Sequence, residues 1–173
     1  MNKQVLILQL NTLLQQLNNL LVQLQAKLKQ KMTLLDLAKS KLGTDFTDDR
    51  NCPDEVSCVY AVSTILNELN KEIPIRFHTG TFYQYMKSRT DLFEEIPQPI
   101  DKMEGGWIVI SPTGYGKRPD IIQFGHIGIY FDDDIIMSND SYSGLWEKNY
   151  TRETWRERWG NKGGYPIYIF KLK

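Results

Sequence analysis

The chain has 173 residues, of which 41% are hydrophobic, so it is long enough to bury one core and to carry an appendage. Lys plus Arg and Asp plus Glu both total 21, and the basic residues are scattered among the acidic ones. Because binding to phosphates requires an excess of basic residues or a basic face, this balance argues against a nucleic-acid partner.

Residues 2–31 are predicted to form one long amphipathic helix. Leucines recur at spacings of three, four and seven, and the opposite face carries Gln and Asn. These leucines are Leu10, Leu13, Leu14, Leu17, Leu20, Leu21, Leu24 and Leu28. Such a helix associates with itself, docks on a core, or lies on a membrane surface, and the polar face lacks the Lys and Arg typical of membrane-surface helices. We therefore divide the chain into a helical segment, 1–31, and a main domain, 32–173.

The same segment carries no charge from Gln4 to Ala26, but it is not apolar enough for a membrane span. Ten of its 23 residues are Gln, Asn or Thr, and its longest apolar run is Val5 to Leu8. A spanning helix needs about 20 mainly apolar residues, and a signal peptide needs an unbroken apolar stretch with a cleavage site. We expect a protein that is made in the cytoplasm without a recognisable signal peptide.

The main domain is predicted to be α+β, with helices first and antiparallel strands after them. The Asp132-Asp133-Asp134 triplet is typical of a hairpin turn rather than of a calcium site. In chain order, we predict a helix from about Thr33 to Lys41 closed by Gly43, a helix over Asp54 to Leu69, a helix from residue 80 to near Ser88, strands at 107–110, 126–131 and 135–139, a short helix capped by Thr151 and ending near Trp159, and a strand from Pro166 to Lys171.

Cys58 is the candidate nucleophile because it lies one turn inside a predicted helix. Backbone N–H groups and the helix dipole favour a thiolate at such a position. A general base must complete the activation, and the chain has two histidines. His126 begins a strand directly after a glycine, whereas His78 lies in a loop, so we prefer His126. The alternative is that Cys58 is a small buried apolar residue. Two Cys and two His without metal-ligand spacing predict no metal, and we expect no cofactor.

Three segments together resemble the NlpC-type and CHAP-type branches of the papain-like superfamily. They are the helix that carries Cys58, the strand Gly106-Trp107-Ile108-Val109-Ile110, and the strand Gly125-His126-Ile127-Gly128-Ile129-Tyr130. The resemblance covers roughly residues 33–173, and the last strand is its most specific part. The stretches 54–63, 110–114 and 137–140 resemble a phage and prophage group. The chain departs from the pattern at Trp107, where those families have Asp, and at Ser57, where they have Asp or Gln.

The resemblance implies a papain-like fold, with helices packed on an antiparallel sheet, and a cysteine peptidase or amidase. The implied substrate is bacterial peptidoglycan peptide, cleaved at an amide bond by thiolate attack and an acyl-enzyme, with substrate contacts at Ser57, Trp107 and Tyr130. Such an enzyme would act at the cell wall, where a phage could deliver it. The alternative is a non-catalytic wall-binding or virion structural module that keeps the fold and assembles through its leucine-rich helix.

The resemblance also implies a third polar residue that orients the imidazole of His126. The register of the hairpin decides which residue this is. A two-residue turn would place Asn139 opposite His126, and a three-residue loop would place Asp140 there. We favour Asn139, and Asp140 remains the alternative.

Overall fold

A computed structural model describes residues 3–47, 52, 57–98 and 102–173. The chain divides into two units, Met1–Met32 and Thr33–Lys173. The predicted start of the helix at Asp54 lies outside the described residues.

The first unit contains one helix, α1 (Lys3–Lys31), as the leucine spacing predicts. Seven leucines of its apolar stripe are between 55% and 66% exposed. Within the described part of the chain, no helix is both long enough and apolar enough to cross a membrane.

The second unit is α+β, which confirms the predicted fold class. Its elements are α2 (Leu34–Ser40), α3 (Ser57–Leu69), α4 (Thr79–Ser88), β1 (Phe93–Glu95), β2 (Ile108–Ser111), β3 (His126–Tyr130), β4 (Ile135–Asn139), β5 (Trp146–Thr151), α5 (Arg152–Trp155) and β6 (Tyr168–Leu172). A π-helical segment, Arg156–Lys162, directly continues α5.

Local sequence explains where two of these helices begin. Thr33 and Asp36 form a capping box at the start of α2, in which each side chain binds the other residue's backbone N–H. Thr151 caps α5 through its hydroxyl, which accepts from the backbone N–H of Thr154. Both helices therefore begin where the sequence predicts.

The strands form one antiparallel sheet in the order β1-β6-β2-β3-β4-β5. Strands β2 to β5 follow one another as a meander, and β6 returns between β1 and β2. The sequence prediction missed β1 and β5. Strand β1 has three residues, too few for a pattern, and β5 contains Glu147, Lys148 and Asn149, which are not typical strand residues.

Both faces of this sheet are covered, and each face has its own core. Helices α2, α3 and α4 lie on the first face, where Ile127 and Ile129 of β3 meet Val62 and Leu66 of α3 in one buried cluster. The second face is covered by Trp155 and Trp159, which pack with Val109, Tyr130 and Ile136. Side chains that alternate along β3 therefore enter two different cores.

Trp146 joins β5 to α2 in the first core. Its side chain is fully buried, its Nε1–H donates to the carbonyl of Ala38 at 3.0 Å, and its backbone is bonded to Gly43 and Thr44. A phenylalanine at this position would leave a void and would remove one of the two hydrogen bonds that the Ala38 carbonyl accepts, the other coming from the backbone N–H of Lys41.

We expect Trp146→Phe to lower the free energy of unfolding by about 2–4 kcal/mol. Urea unfolding followed by circular dichroism measures the loss. Trp107→Phe is the matched control, because Trp107 is only partly buried and has no hydrogen bond from its indole to a described residue. Equal losses for the two variants would contradict the anchoring role of Trp146.

Candidate active site

Cys58 lies at the beginning of the described part of α3 and is 7% exposed. Its thiol faces the backbone N–H groups of Ile127, Val59 and Cys58 itself. The last two belong to the N-terminal end of the described part of α3, and Ile127 belongs to β3. The structure therefore surrounds the sulfur with backbone donors from two elements.

Burial nevertheless dominates the electrostatics of this thiol. It raises the pKa of Cys58 to about 12, although the three backbone N–H groups oppose the shift by stabilising the thiolate. At neutral pH the group is therefore a neutral thiol in this conformation. Cys52 is also a buried free thiol, and its charge would raise the pKa of Cys58 further.

Cys58 borders a cavity of about 60 Å³ at one end of the sheet. The other residues that line it are Val59, Phe77, His78, Thr79, Thr113, Phe124 and Gly125. Phe77 and Phe124 line this cavity and are about half exposed, so the cavity lies at the surface. Its volume suits a group about as large as one or two water molecules.

Two threonines hold the wall of this cavity together. The hydroxyls of Thr79 and Thr113 are 2.7 Å apart, and the Thr113 hydroxyl accepts from the N–H of Gly125 at 2.9 Å. Gly125 is required sterically, because a Cβ at this position would collide with the carbonyl of Ser111 and the N–H of Thr113. The loop before β3 is thereby fixed against the start of α4.

His126 projects from the first position of β3 into the aromatic core of the second face. Its ring is stacked on Trp159, with centroids 4.7 Å apart and planes 3° apart. Trp155 and Tyr150 contact it from other sides, at centroid distances of 5.3 and 5.6 Å. The imidazole is therefore held in one orientation by packing.

A chain of hydrogen bonds fixes the protonation of that ring. Ser138 donates its hydroxyl proton to Oδ1 of Asn149 at 2.8 Å, and its oxygen lies 2.9 Å from Nε2 of His126. Because a serine hydroxyl has one proton, Nε2 of the neutral imidazole must be the donor in the second bond. Nδ1 then carries a free lone pair, and no described residue bonds to it.

The aromatic surroundings keep this imidazole neutral. Burial lowers the pKa of His126 to about 3, the charge of Arg158 lowers it further, and the charge of Asp140 raises it. Arg158 lies over the ring of Trp159, on which His126 is stacked. His126 is thus an unprotonated base at neutral pH.

Cys58 and His126 both approach the beginning of β3, but they are not hydrogen-bonded to each other in the structure. The thiol faces the N–H of Ile127, the residue after His126, and the residue before His126 lines the Cys58 cavity. The ring of Tyr150 contacts the ring of His126. Burial raises the pKa of the Tyr150 phenol. The charges of Asp140 and Cys58 raise this pKa further, whereas the charge of Arg158 lowers it. Both groups therefore border the same end of β3 from opposite faces of the sheet.

The register of the β3–β4 hairpin corrects the prediction for the third residue. Ile129 pairs with Met137 and Tyr130 with Ile136, so continuation of the register places Asp140 opposite His126. The preferred register, with Asn139 opposite His126, is wrong by one residue, because Asp132, Asp133 and Asp134 all belong to the loop. Asp133 and Asp134 both have positive φ, which lets the chain turn within three residues.

Asn139 and Asp140 consequently lie on different faces of the sheet and make different hydrogen bonds. Asn139 points to the first face and donates from Nδ2 to the hydroxyl of Ser57 at 2.6 Å. Asp140 accepts from the backbone N–H groups of Tyr142 and Ser143. Partial burial raises the pKa of Asp140, but these backbone bonds outweigh burial and lower that pKa below its ordinary value. Asp140 remains charged and acts on His126 through its field.

The structure separates the predicted substrate contacts. Ser57 is next to Cys58 and buried beneath it against Asn139. Trp107 and Tyr130 lie at the other end of β2 and β3, where the backbone N–H of Tyr130 donates to the carbonyl of Trp107. Four strand residues, or about 13 Å, separate Tyr130 from His126. Trp107 and Tyr130 are therefore not brought to the Cys58 cavity.

Ser138, Asn149 and Trp159 are the residues around His126 that sequence reasoning missed. Ser138 becomes a neighbour of His126 only with the correct register. Asn149 is the extra residue of a β-bulge, because Ile136 pairs with Tyr150 while Met137 pairs with Lys148. The bulge turns Asn149 toward Ser138. No short-range pattern in the sequence signals this bulge.

Among the described residues, no three His, Cys, Asp or Glu side chains are grouped so that they could hold a metal ion. A scan against models of known protein families found no match, and a search of curated proteins found none either.

The buried neutral imidazole should make the protein sensitive to acid. The folded-state pKa of His126 is about 3, below the ordinary value of 6.5, so the unfolded chain binds the proton first as the pH falls. The contribution to stability is complete above pH 6.5 and is lost as the pH falls toward 3.

We expect the free energy of unfolding to fall between pH 7 and pH 4 by about 3 kcal/mol more in the wild type than in His126→Phe. Phenylalanine keeps the stacking on Trp159 but cannot be protonated. Urea titrations of both proteins at the two pH values measure the difference. Parallel acid losses would mean that burial of the ring does not lower its pKa.

Proposed function

We propose that this protein is a papain-like cysteine hydrolase that cleaves amide bonds in bacterial peptidoglycan, with Cys58 as nucleophile and His126 as general base. The observation that carries the proposal is the Asn149–Ser138–His126 chain of hydrogen bonds. It holds the proton on Nε2 and leaves Nδ1 as an acceptor, at the strand end where backbone N–H groups face the sulfur of Cys58. A general base needs both a free lone pair and a fixed orientation.

The pKa values favour proton transfer during attack over a resting ion pair. Burial holds the proton on sulfur, since it raises the pKa of Cys58 to about 12 and lowers the pKa of His126 to about 3. Transfer of the proton from Sγ to Nδ1 creates both charges together, so that they attract each other in a medium of low dielectric. As the sulfur attacks the amide carbonyl, the negative charge moves onto the carbonyl oxygen.

The same backbone donors can then serve the oxyanion. The N–H groups of Cys58 and Val59 face the sulfur, so the oxygen of a carbonyl group under attack by this sulfur would lie close to them. Such a donor is worth about 2.7–4 kcal/mol in comparable sites. The protonated imidazole gives its proton to the leaving amine, and water releases the acyl group. Asp140 stabilises the imidazolium, because its charge raises the pKa of His126.

The choice of peptidoglycan rests on the resemblance of the Gly125 to Tyr130 strand and the Cys58 helix to the NlpC-type and CHAP-type families. One observation favours the second candidate, a non-catalytic wall-binding or virion module. No hydrogen bond joins Sγ of Cys58 to the His126 ring, and both groups are neutral in this conformation. Catalytic hydrogen bonds often tighten only when substrate is bound, so the hydrolase remains the better-supported function.

We expect Cys58→Ala to reduce the lysis of purified bacterial cell walls by about 10³-fold or more, because Cys58 is the only cysteine among the described residues that line the cavity. Loss of turbidity and mass spectrometry of the released fragments measure the reaction and identify the bond. Cys52→Ala is the matched control, since Cys52 is also a buried free thiol, and it should lyse walls at the wild-type rate. Wall binding without lysis by the wild type would support the non-catalytic module instead.

We expect Ser138→Ala to lower kcat by about 10- to 100-fold with little change in KM, because the imidazole loses the partner that fixes its tautomer. Ser63→Ala is the control, since Ser63 is an equally buried serine whose hydroxyl makes hydrogen bonds elsewhere, at Tyr60 and Arg76. A similar loss of kcat in both variants would mean that Ser138 contributes only to stability.

A further inference from the structure

The exposed leucines of α1 repeat every seven residues. Taking Leu10 as position a of a heptad, positions a and d are occupied by Leu10, Leu13, Leu17, Leu20 and Leu24. All five are more than half exposed. Position e continues the same stripe with Ile7, Leu14 and Leu21, which are also exposed. The helix thus presents an unbroken apolar seam along its described side chains.

The period of this seam points to another helix as the occupant. A straight α-helix has 3.6 residues per turn, so a strict seven-residue repeat drifts by about 20° per heptad around it. The drift is removed when two or more such helices supercoil around each other, and each leucine then fits between four residues of the facing helix. Neither a flat membrane surface nor an irregular protein surface requires a seven-residue period.

The charge distribution points to an identical helix. No charged residue occurs from Gln4 to Ala26, so copies of this stretch meet without repulsion in either direction. Position g, which borders the seam, is glutamine in three successive heptads, at Gln9, Gln16 and Gln23. Glutamine can both donate and accept a hydrogen bond, and it therefore pairs with a copy of itself. This stretch also has no Lys or Arg that could bind an anionic lipid surface.

We propose that α1 is an assembly helix that joins copies of this chain through a left-handed coiled coil built on Leu10, Leu13, Leu17, Leu20 and Leu24. The partner is a second copy of the same helix. This inference concerns a surface outside the Cys58 and His126 site, and it does not depend on the proposed hydrolase activity.

The test compares two double variants of the full chain that add the same charge to the same turn of α1. Leu17→Glu with Leu20→Glu places two carboxylates in the seam, at positions a and d. Asn18→Glu with Asn19→Glu places them on the polar face, at positions b and c. Light scattering coupled to size-exclusion chromatography measures the mass of each, and circular dichroism checks that both keep their helix content.

The wild type and the polar-face variant should elute as multiples of the 20.2 kDa chain, and the seam variant should elute as a single chain. A monomeric wild type, or a seam variant that assembles as well as the wild type, would overturn the proposal. Sedimentation with phosphatidylglycerol vesicles tests the other occupant. Vesicle binding by a monomeric wild type, lost in the seam variant, would assign the seam to a membrane surface instead.

Discussion

Strand β3 is buried on both faces, and the alternation of its side chains determines the surroundings of each candidate site residue. Ile127 and Ile129 pack under α3, while His126 and Tyr130 enter the core formed by Trp155 and Trp159. Because a strand side chain can reach only one face, the helix that carries Cys58 and the aromatic cluster that holds His126 must meet around the end of this strand. The site is consequently assembled at the edge between two cores and not within either one.

This placement sets the electrostatics of the candidate pair. A thiolate and an imidazolium would each lose hydration at this boundary, and the pKa values of Cys58 and His126 are displaced in the directions that keep both groups neutral. The backbone N–H groups beside the sulfur act in the opposite direction, and so does the carboxylate of Asp140 beside the ring. The backbone N–H groups and the Asp140 carboxylate therefore lie where they would stabilise a thiolate at Cys58 and an imidazolium at His126, neither of which is present in the resting state. Under the proposed hydrolase activity, these groups would stabilise the transition state more than the ground state.

The sequence predicts those parts of the structure that depend on local periodicity. The leucine spacing gives α1, the Thr33 and Thr151 caps give the starts of α2 and α5, and the apolar runs give β2, β3 and β4. The prediction fails where the outcome depends on long-range pairing. Strand β5 is polar in sequence, and it forms a strand because its backbone pairs with the edge of β4. Its bulge at Asn149 has no local signal, yet that bulge supplies the residue that completes the hydrogen-bond chain to His126.

The choice between Asn139 and Asp140 shows how a small error in a loop propagates into a site. One residue more or less in the turn changes the register by one, and each side chain of β4 then changes face. The turn takes all three aspartates because Asp133 and Asp134 adopt positive φ, a conformation that Asp tolerates better than most residues. Asn139 accordingly binds Ser57, the residue before Cys58, and Ser138 becomes the direct partner of the imidazole.

The Gly125 to Tyr130 motif carries the resemblance to papain-like hydrolases, and packing alone accounts for most of it. Gly125 and Gly128 are required because a Cβ at either position would collide with the backbone of β2 or β4, and Ile127 and Ile129 fill the first core. Only the histidine is not explained in this way. An apolar ring would stack on Trp159 equally well without placing Nε2 beside Ser138. Burying a titratable ring and ordering Ser138 and Asn149 beside it costs free energy that an apolar ring would not require. That the chain nevertheless has histidine at position 126 is the strongest structural argument for a chemical role of His126.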